Sequence, residues 1–399
     1  MKLGAIADLH LGAGSDFGRQ PFGPESRLAD QERVWLAACE LFVNEDVNAV
    51  LFAGDAFHRR RPSPSEILAF RAGLDVLFRH DIPVIAVDGN HSVVSADLPS
   101  ALSIFEGELA LSRTPEMIPL DGVTICTLPW TPPVRLVAQA GGGDRDSLHT
   151  EAAALLVDVA RGLRAQCPGG KPAILLAHWS VSGASIPSGL LADQLREPVL
   201  PLHDLEMLGF DKVILGHLHK PQVLDERRRI LYTGSPAVVD YGEADTKHGV
   251  WILDTDRHPS QGDRFVSLDD RPFLTVEADL SKLSADDDLT GVLIGYAGMH
   301  PQGLEGAAVR VRYTATQEQA RIVDHERIRR ALADAGVWKL YAIQPDIVRA
   351  DRARVEGLTE DVAPMDALEL WIGTQEGLTP ELAQAMRERT ARYLEAVGA

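Results

Sequence analysis

Ala49-Val50-Leu51-Phe52-Ala53-Gly54-Asp55-Ala56-Phe57-His58 joins a short apolar run to a Gly-Asp turn. A run this brief and this apolar, ended by a turn, reads as a strand buried on both faces. Residues 3–7, 84–87, 173–177 and 212–215 repeat the pattern. Helix-like stretches lie between the first three strands, at 25–46 and 63–80, and another spans 148–166. The second opens with Ser63-Pro64-Ser65-Glu66. That supplies a Ser N-cap, a Pro at the first helical position and a Glu placed to close a capping box. Alternation of this kind predicts an α/β layered fold. Residues 122–128, 230–233 and 249–253 read as further strands joined by turns, giving a mixed sheet or a two-sheet sandwich with helices outside.

With 399 residues, two domains or one large domain with an appendage are expected. Apolar residues make up 45% and charged residues 24%, as in a globular protein in water. No run of eighteen apolar residues occurs, so no membrane span is expected, and the N-terminus reads as a strand rather than a signal peptide. Cys39, Cys126 and Cys167 are far apart in sequence and odd in number, which fits neither a disulfide framework nor a CxxC zinc site. Each reads as a buried small apolar residue, and a reducing cytoplasm is the expected home. A net charge of −19 argues against polyanion binding by the whole surface. Positive charge is local, in Arg59-Arg60-Arg61 and Arg227-Arg228-Arg229.

The polar residues fall at strand ends. Asp8 and His10 follow the first strand, Asp55 the second and Asn90-His91 the third; His178 ends a fourth, and His217 and His219 follow a fifth. In open α/β sheets this edge is where ligands bind. Imidazole, carboxylate and amide oxygen without thiolate suit Mn²⁺, Fe²⁺ or Zn²⁺. Asp55, in its tight turn, is the candidate to bridge two cations, and His91 at the edge of the set is the candidate general acid. Asp-x-His and His-x-His each put two side chains on one side of an extended segment. The remaining histidines (His80, His149, His203, His248, His258, His300, His325) read as surface or hydrogen-bonded residues. Trp130 and Trp179 read as packing residues near the site rim, with base stacking the alternative. Tyr241 and Glu243 read as shaping a loop.

The style changes after Asp254. Residues 255–271 are polar and turn-rich, 271–277 read as a strand, 281–290 as an acidic loop, 307–313 as a strand, 317–335 as a helix and 339–343 as a strand. A last helix starts with Thr379 as N-cap and Pro380, after a turn at 373–377. The expected division is 1–276, 277–372 and 373–399.

Asp8-x-His10, Gly54-Asp55, Gly89-Asn90-His91, His178 and Gly216-His217-x-His219 together resemble the signature of the calcineurin-like metallophosphoesterases. Gly54-Asp55-Ala56-Phe57-His58 with Arg61-Pro62-Ser63, and Tyr232-Thr233-Gly234-Ser235-Pro236 followed by Asp240-Tyr241-Gly242-Glu243, look like the SbcD branch of DNA-repair nucleases. The motifs cover about residues 1–277. The resemblance implies a four-layer sandwich, two mixed β-sheets flanked by helices, with a smaller α+β capping domain. It implies two divalent cations, Mn²⁺ first among them. Asp8, His10, Asp55 and His219 would hold one; Asp55, Asn90, His178 and His217 the other. His91 would act on phosphate or leaving group, with His58 assisting.

The implied activity is exo- or endonucleolytic hydrolysis of DNA at duplex ends and hairpins, as a homodimer with an SbcC-type coiled-coil ATPase. Residues 277–372 would cap and orient DNA, the C-terminal helix would dock the ATPase, and residues 96–110 would serve dimerisation. Ser92 stands where the family often has Asp, and Ala56 where a bulkier residue is usual; neither position is a metal ligand in the pattern. Two other functions fit the residues: a phosphodiesterase or phosphatase acting on a small nucleotide, and a non-catalytic scaffold for an ATPase. The domain after 277 argues against the first, and retention of every donor type against the second.

Overall fold

The protein is described from a computed structural model covering residues 1–14, 26–92, 100–139, 141, 147–225, 227, 229–348, 362–375 and 378–397. Residues 96–99 of the proposed dimerisation segment, Gly142, Gly143 and Arg228 fall outside the described residues. The chain opens with β1 (Lys2–Ile6), α1 (Arg27–Asn44), β2 (Ala49–Phe52), α2 (Pro64–Phe78), β3 (Val84–Val87), β4 (Ala110–Ser112), β5 (Glu116–Leu120) and β6 (Val123–Leu128). There follow α3 (Pro133–Gln139), α4 (Leu148–Gln166), β7 (Ala173–His178), β8 (Ser180–Val181), β9 (Val199–Leu200), α5 (Leu202–Met207) and β10 (Lys212–Gly216). Then come β11 (Gln222–Val223), β12 (Ile230–Tyr232), β13 (Gly249–Asp254), α6 (Pro259–Gly262) and β14 (Arg264–Ser267). The last elements are β15 (Phe273–Asp279), α7 (Leu289–Gly298), β16 (Ala308–Ala315), α8 (Gln317–Ile322), α9 (His325–Asp334), β17 (Lys339–Ile347), α10 (Pro364–Gly373) and α11 (Pro380–Val397).

Two six-stranded sheets carry the architecture, ordered β14-β13-β1-β2-β3-β4 and β11-β12-β10-β7-β6-β5. β1, β2, β3 and β4 run parallel, while β13 lies antiparallel to β1. β6, β7, β10 and β12 are likewise parallel, edged by antiparallel β5 and β11. Both sheets are therefore mixed. Alternation along each strand sorts the side chains. Leu3, Ala5 and Leu51 pack with Ile125, Ile174, Leu176 and Ile214 between the sheets. Ile6, Val50 and Phe52 point the other way, against Trp35, Phe42, Phe70 and Leu74 of α1 and α2. Leu175, Val213 and Leu215 meet Leu156, Val157 and Ala160 of α4. Helix, sheet, sheet and helix thus form four layers, as expected. The inner strands are apolar on both faces because both are covered.

Helix starts follow the sequence signals. Ser63 accepts from Glu66 N–H, and Glu66 returns a bond to Ser63 N–H at 2.9 Å. Ser26 caps α1 through Ala29 N–H. Elsewhere the expectations need correction. The turn-rich 255–271 holds an edge strand, β14. The acidic loop ends where α7 begins, at Leu289. The single helix expected over 317–335 is two, because Asp324 Oδ1 accepts from the N–H groups of Glu326 and Arg327 and starts a new helix there.

Two compact units are found: 1–276 with 298–310 and 329–342, and 277–297 with 311–328 and 343–399. Within the second, Gln319 donates to the carbonyls of Leu280 and Leu283 at 2.8 and 2.7 Å, and Arg387 of α11 pairs with Glu369 of α10 at 2.6 Å. Strands β15, β16 and β17 make a three-stranded sheet. Among the described residues, no helix is long and apolar enough to cross a membrane.

Candidate metal centre

The C-terminal ends of β1, β2, β3, β7 and β10 converge, and each delivers at least one polar side chain. Four of these residues sit in left-handed backbone: Asp8 (φ 53°), His10 (φ 44°), Asp55 (φ 54°) and His217 (φ 92°). Non-glycine residues pay a steric cost there, and such strain clusters at functional sites. The neighbouring glycines leave no slack. Gly54 has φ +97°, and a Cβ on it would run into His178 Nδ1; a Cβ on Gly89 would run into the Asp55 carboxylate.

Asp8 and Asp55 are buried, at 0% and 1% exposure. Asp8 accepts from His217 N–H at 3.0 Å, and Asp55 Oδ1 accepts from His91 N–H at 3.0 Å. Asp55 Oδ2 lies 3.3 Å from His178 Nε2 and 3.7 Å from His10 Nε2, so this one carboxylate faces imidazoles on both sides. Asn90 Oδ1 sits 3.0 Å from His178 Nε2 and 3.2 Å from His217 Nδ1. His219 Nε2 and His10 Nε2 are 3.0 Å apart. All seven sequence candidates for metal binding are brought together. Asp8, His10 and His219 form one group of donor atoms within 4.8 Å of one another; Asp8, Asp55 and His178 form another.

The imidazoles are oriented from behind. His178 Nδ1–H donates to the Ala53 carbonyl at 2.6 Å, turning Nε2 toward Asp55 and Asn90. His217 Nε2–H donates to Glu197 at 2.8 Å, so this ring offers Nδ1. His219 Nδ1–H donates to Glu243, so that ring offers Nε2. A carboxylate can only accept, and each tautomer follows from that. Glu243 is itself held by Val239 N–H at 2.9 Å, and Ser180 donates its hydroxyl to Glu197. The sequence reading missed Glu197 altogether and took Glu243 for a loop residue. Glu243 follows Tyr232–Pro236 in the motif, and that placement was the available signal. Glu197 had none: it lies twenty residues before His217, in an irregular segment. Tyr241 is a packing residue, buried over Phe273 with ring centroids 5.4 Å apart.

The charges are balanced only with difficulty. Burial alone would lower the pKa of His178, but Asp55 and Asp8 lift it to about 9. Burial would lower His219 too, and Glu243 with Asp8 and Asp55 lifts it to about 9. Burial would raise Asp55, yet His178, His10 and His91 hold it well below the usual carboxylate range. Burial and the neighbouring His219 push His10 well down, so it is neutral, and its buried Nδ1 has no partner among the described residues. Four carboxylates (Asp8, Asp55, Glu197, Glu243) therefore hold His178 and His219 protonated beside a neutral His10, positive charge that cations would replace. A mixed N/O donor set of this charge fits two divalent cations.

His91 and His58 stand beside this set. His91 Nδ1–H donates to the backbone carbonyl of His58 at 2.8 Å, and its ring meets that of His10 edge-on at 4.7 Å. The His58 ring, 5.4 Å from His91, touches it by packing; its backbone carbonyl makes the bond. Trp179 is 1% exposed and stacks on Trp130 at 6.1 Å, with Nε1 donating to Pro129. It cannot serve as a base-stacking surface; packing is its role. Arg59, Arg60 and Arg61 are exposed at the end of the segment that carries His58.

A family described as calcineurin-like phosphoesterase matches residues 1–221. The chain is 34% identical over 120 residues to the DNA double-strand break repair protein Mre11 of Archaeoglobus fulgidus, covering 29% of this chain and 26% of that protein. It is 24% identical over 280 residues to the SbcD component of the nuclease SbcCD of Staphylococcus epidermidis, covering 67% and 70% of the two chains. To the same component of the Rhodobacter capsulatus nuclease it is 28% identical over 286 residues, covering 64% and 66%. The matches span about a quarter of the first relative's length and about two thirds of the others'.

Proposed function

Since the chain belongs to the calcineurin-like phosphoesterase family and is a metal-dependent hydrolase, we propose that it is a Mn²⁺-dependent DNA nuclease acting on duplex ends and hairpins. The single observation that carries this is the convergence of Asp8, His10, Asp55, Asn90, His178, His217 and His219 from five strand ends, with Asp55 facing both halves of the donor set. Similarity to relatives named as nucleases and as a double-strand break repair protein supports DNA as the substrate.

In this reading Asp8, His10, Asp55 and His219 hold one cation, and Asp55, Asn90, His178 and His217 the other. Bound there, the cations supply a polarised phosphoryl oxygen and a water acidic enough to attack at neutral pH. The protein's own residues do the rest. Glu197, Glu243 and the Ala53 carbonyl keep the ring tautomers. His91, with Nδ1–H committed to the His58 carbonyl, has Nε2 left to hold a proton for the leaving oxygen. His58 assists by carrying that carbonyl. Residues 277–372 are proposed as the DNA-orienting cap and 373–399 as the docking element for an SbcC-type ATPase, in a cytoplasmic homodimer.

The test is hydrolysis by the purified full chain with Mn²⁺, on linear duplex and hairpin DNA and on a small chromogenic phosphodiester. Degradation of DNA that disappears with Asp55→Ala supports the reading. Cleavage of the small ester with DNA left intact would overturn DNA as the substrate while leaving the hydrolase.

A further inference from the structure

Two of the three cysteines meet in the fold, away from the polar cluster. Cys126 lies in the middle of β6, fully buried. Cys167 is the residue that ends α4, half-buried and in extended backbone. Their sulfurs are 3.3 Å apart, although 41 residues separate them in the chain. Cys167 also lies 3.4 Å from the Leu163 carbonyl of its own helix. We propose that this pair is a site of reversible oxidation by peroxides, closing to an intramolecular disulfide.

The geometry assigns the two sulfurs different parts. Cys167 is the one a solvent-borne oxidant can reach. Cys126 is shielded, and burial together with the Cys167 hydrogen bond pushes its thiol up to about 12, so it does not react with the oxidant first. The Cys167 thiolate attacks one peroxide oxygen; the O–O bond breaks, hydroxide leaves, and a sulfenic acid remains. The Cys126 sulfur then attacks that sulfur. The S–S bond forms, the S–O bond breaks, and the hydroxyl departs as water with the Cys126 proton. Two thiols and one hydrogen peroxide give one disulfide and two waters. The sulfurs must close to about 2.05 Å. Cys167, just past the last turn of α4, can make that shift, because no further turn is built on it. Cys39 takes no part: it is fully buried among the α1 and α2 side chains.

The bond would tie the end of α4 to β6, whose Cys126 pairs with Leu175 of β7, the strand that ends in His178. Closing a loop of this size restricts the unfolded chain and raises the melting temperature by several degrees.

The experiment treats the full chain with hydrogen peroxide, quenches it, unfolds it and titrates thiols. The expected result is a fall from the three cysteines of the sequence to one, reversed by dithiothreitol, with a Cys126–Cys167 cross-linked peptide in the digest. Cys126→Ser should instead trap oxygenated Cys167 with no cross-link. Three free thiols after treatment, a cross-link to Cys39 or to a second chain, or wild-type Cys167 oxidised to sulfinic acid beside an intact Cys126 thiol would each overturn the proposal.

Discussion

Single residues set which nitrogen of each imidazole faces inward. Glu197 and Glu243 do this for His217 and His219, and they do it in opposite senses, exposing Nδ1 of one ring and Nε2 of the other. Removing either carboxylate frees a ring to turn and a tautomer to change. Glu197→Ala and Glu243→Ala should each weaken Mn²⁺ binding by roughly 10–100-fold, the range found for partners behind a metal-bound imidazole. Calorimetric titration of Mn²⁺ into the metal-free protein measures it, and unchanged affinity in both variants would show that the carboxylates are only structural. His91→Ala should behave differently. It should leave Mn²⁺ affinity near that of the wild type while slowing hydrolysis by about 10²–10⁴-fold, the usual worth of a positioned proton donor. If metal affinity falls in step with rate, His91 is a ligand rather than an acid. The seven residues that cluster could be picked out in the sequence because acids, Asn and His at strand ends are rare as a set. Glu197 could not. Its partner follows β10, twenty residues on, and only the folded chain brings the two to 2.8 Å.

Elements were legible to the extent that they were covered on both sides or capped by a local signal. β1, β2, β3, β7 and β10 lie inside the sheets, so apart from Lys2, Lys212 and His178 at their ends their residues are apolar. The strands missed were the two-residue pair β8 and β9, and β4, β5, β11 and β14, each at a sheet edge. Their exposure weakens the pattern, and Pro119 in β5 reads as a breaker although an edge strand tolerates it. α7, with Leu289, Thr290, Leu293 and Ala297 buried and few charges elsewhere, has too little contrast between faces to show as a helix. α2 is the opposite case, since four residues announced it. Its capping box satisfies two backbone N–H groups that would otherwise lack partners. Ser63→Ala should therefore cost about 1 kcal/mol of stability, read as a lower urea midpoint with unchanged m-value. Because the segment ending at Arg61-Pro62 leads directly into this cap, Ser63→Ala also asks whether the helix start positions His58. A variant that loses stability but keeps full hydrolysis would show that it does not.

At the scale of the whole molecule, a buried charge network closes the first unit. Arg27, at the start of α1, is 2% exposed and holds Asp270 through two bonds of 2.7 and 2.6 Å, with a third to the Val238 carbonyl at 2.6 Å. Arg271 reaches back to Asp30 of α1 at 2.6 Å. Residues from the beginning, middle and end of the unit are thus joined at one place. Burial would raise the pKa of Asp270, but the Arg27 guanidinium holds it below its ordinary value. The sign of the linkage follows. A carboxyl with a depressed folded pKa contributes stability that is fully present above its unfolded value, about 3.9, and lost as pH falls through the lower folded value. Asp270→Asn should remove that contribution and leave buried Arg27 with only the longer pair to Asp30 at 3.5 Å, a loss of up to about 3 kcal/mol at neutral pH. Its stability should then fall less steeply than the wild type's as acid is added below pH ~4. The net charge of −19 acts in the other direction, since protonating surface acids relieves repulsion. Salt separates the two, because screening reaches exposed charges far more than a buried pair. Urea denaturation across pH, at low and high ionic strength, should show a wild-type slope that persists in salt and is reduced in Asp270→Asn. A difference between the two proteins that vanishes in high salt would assign the acid sensitivity to the surface instead.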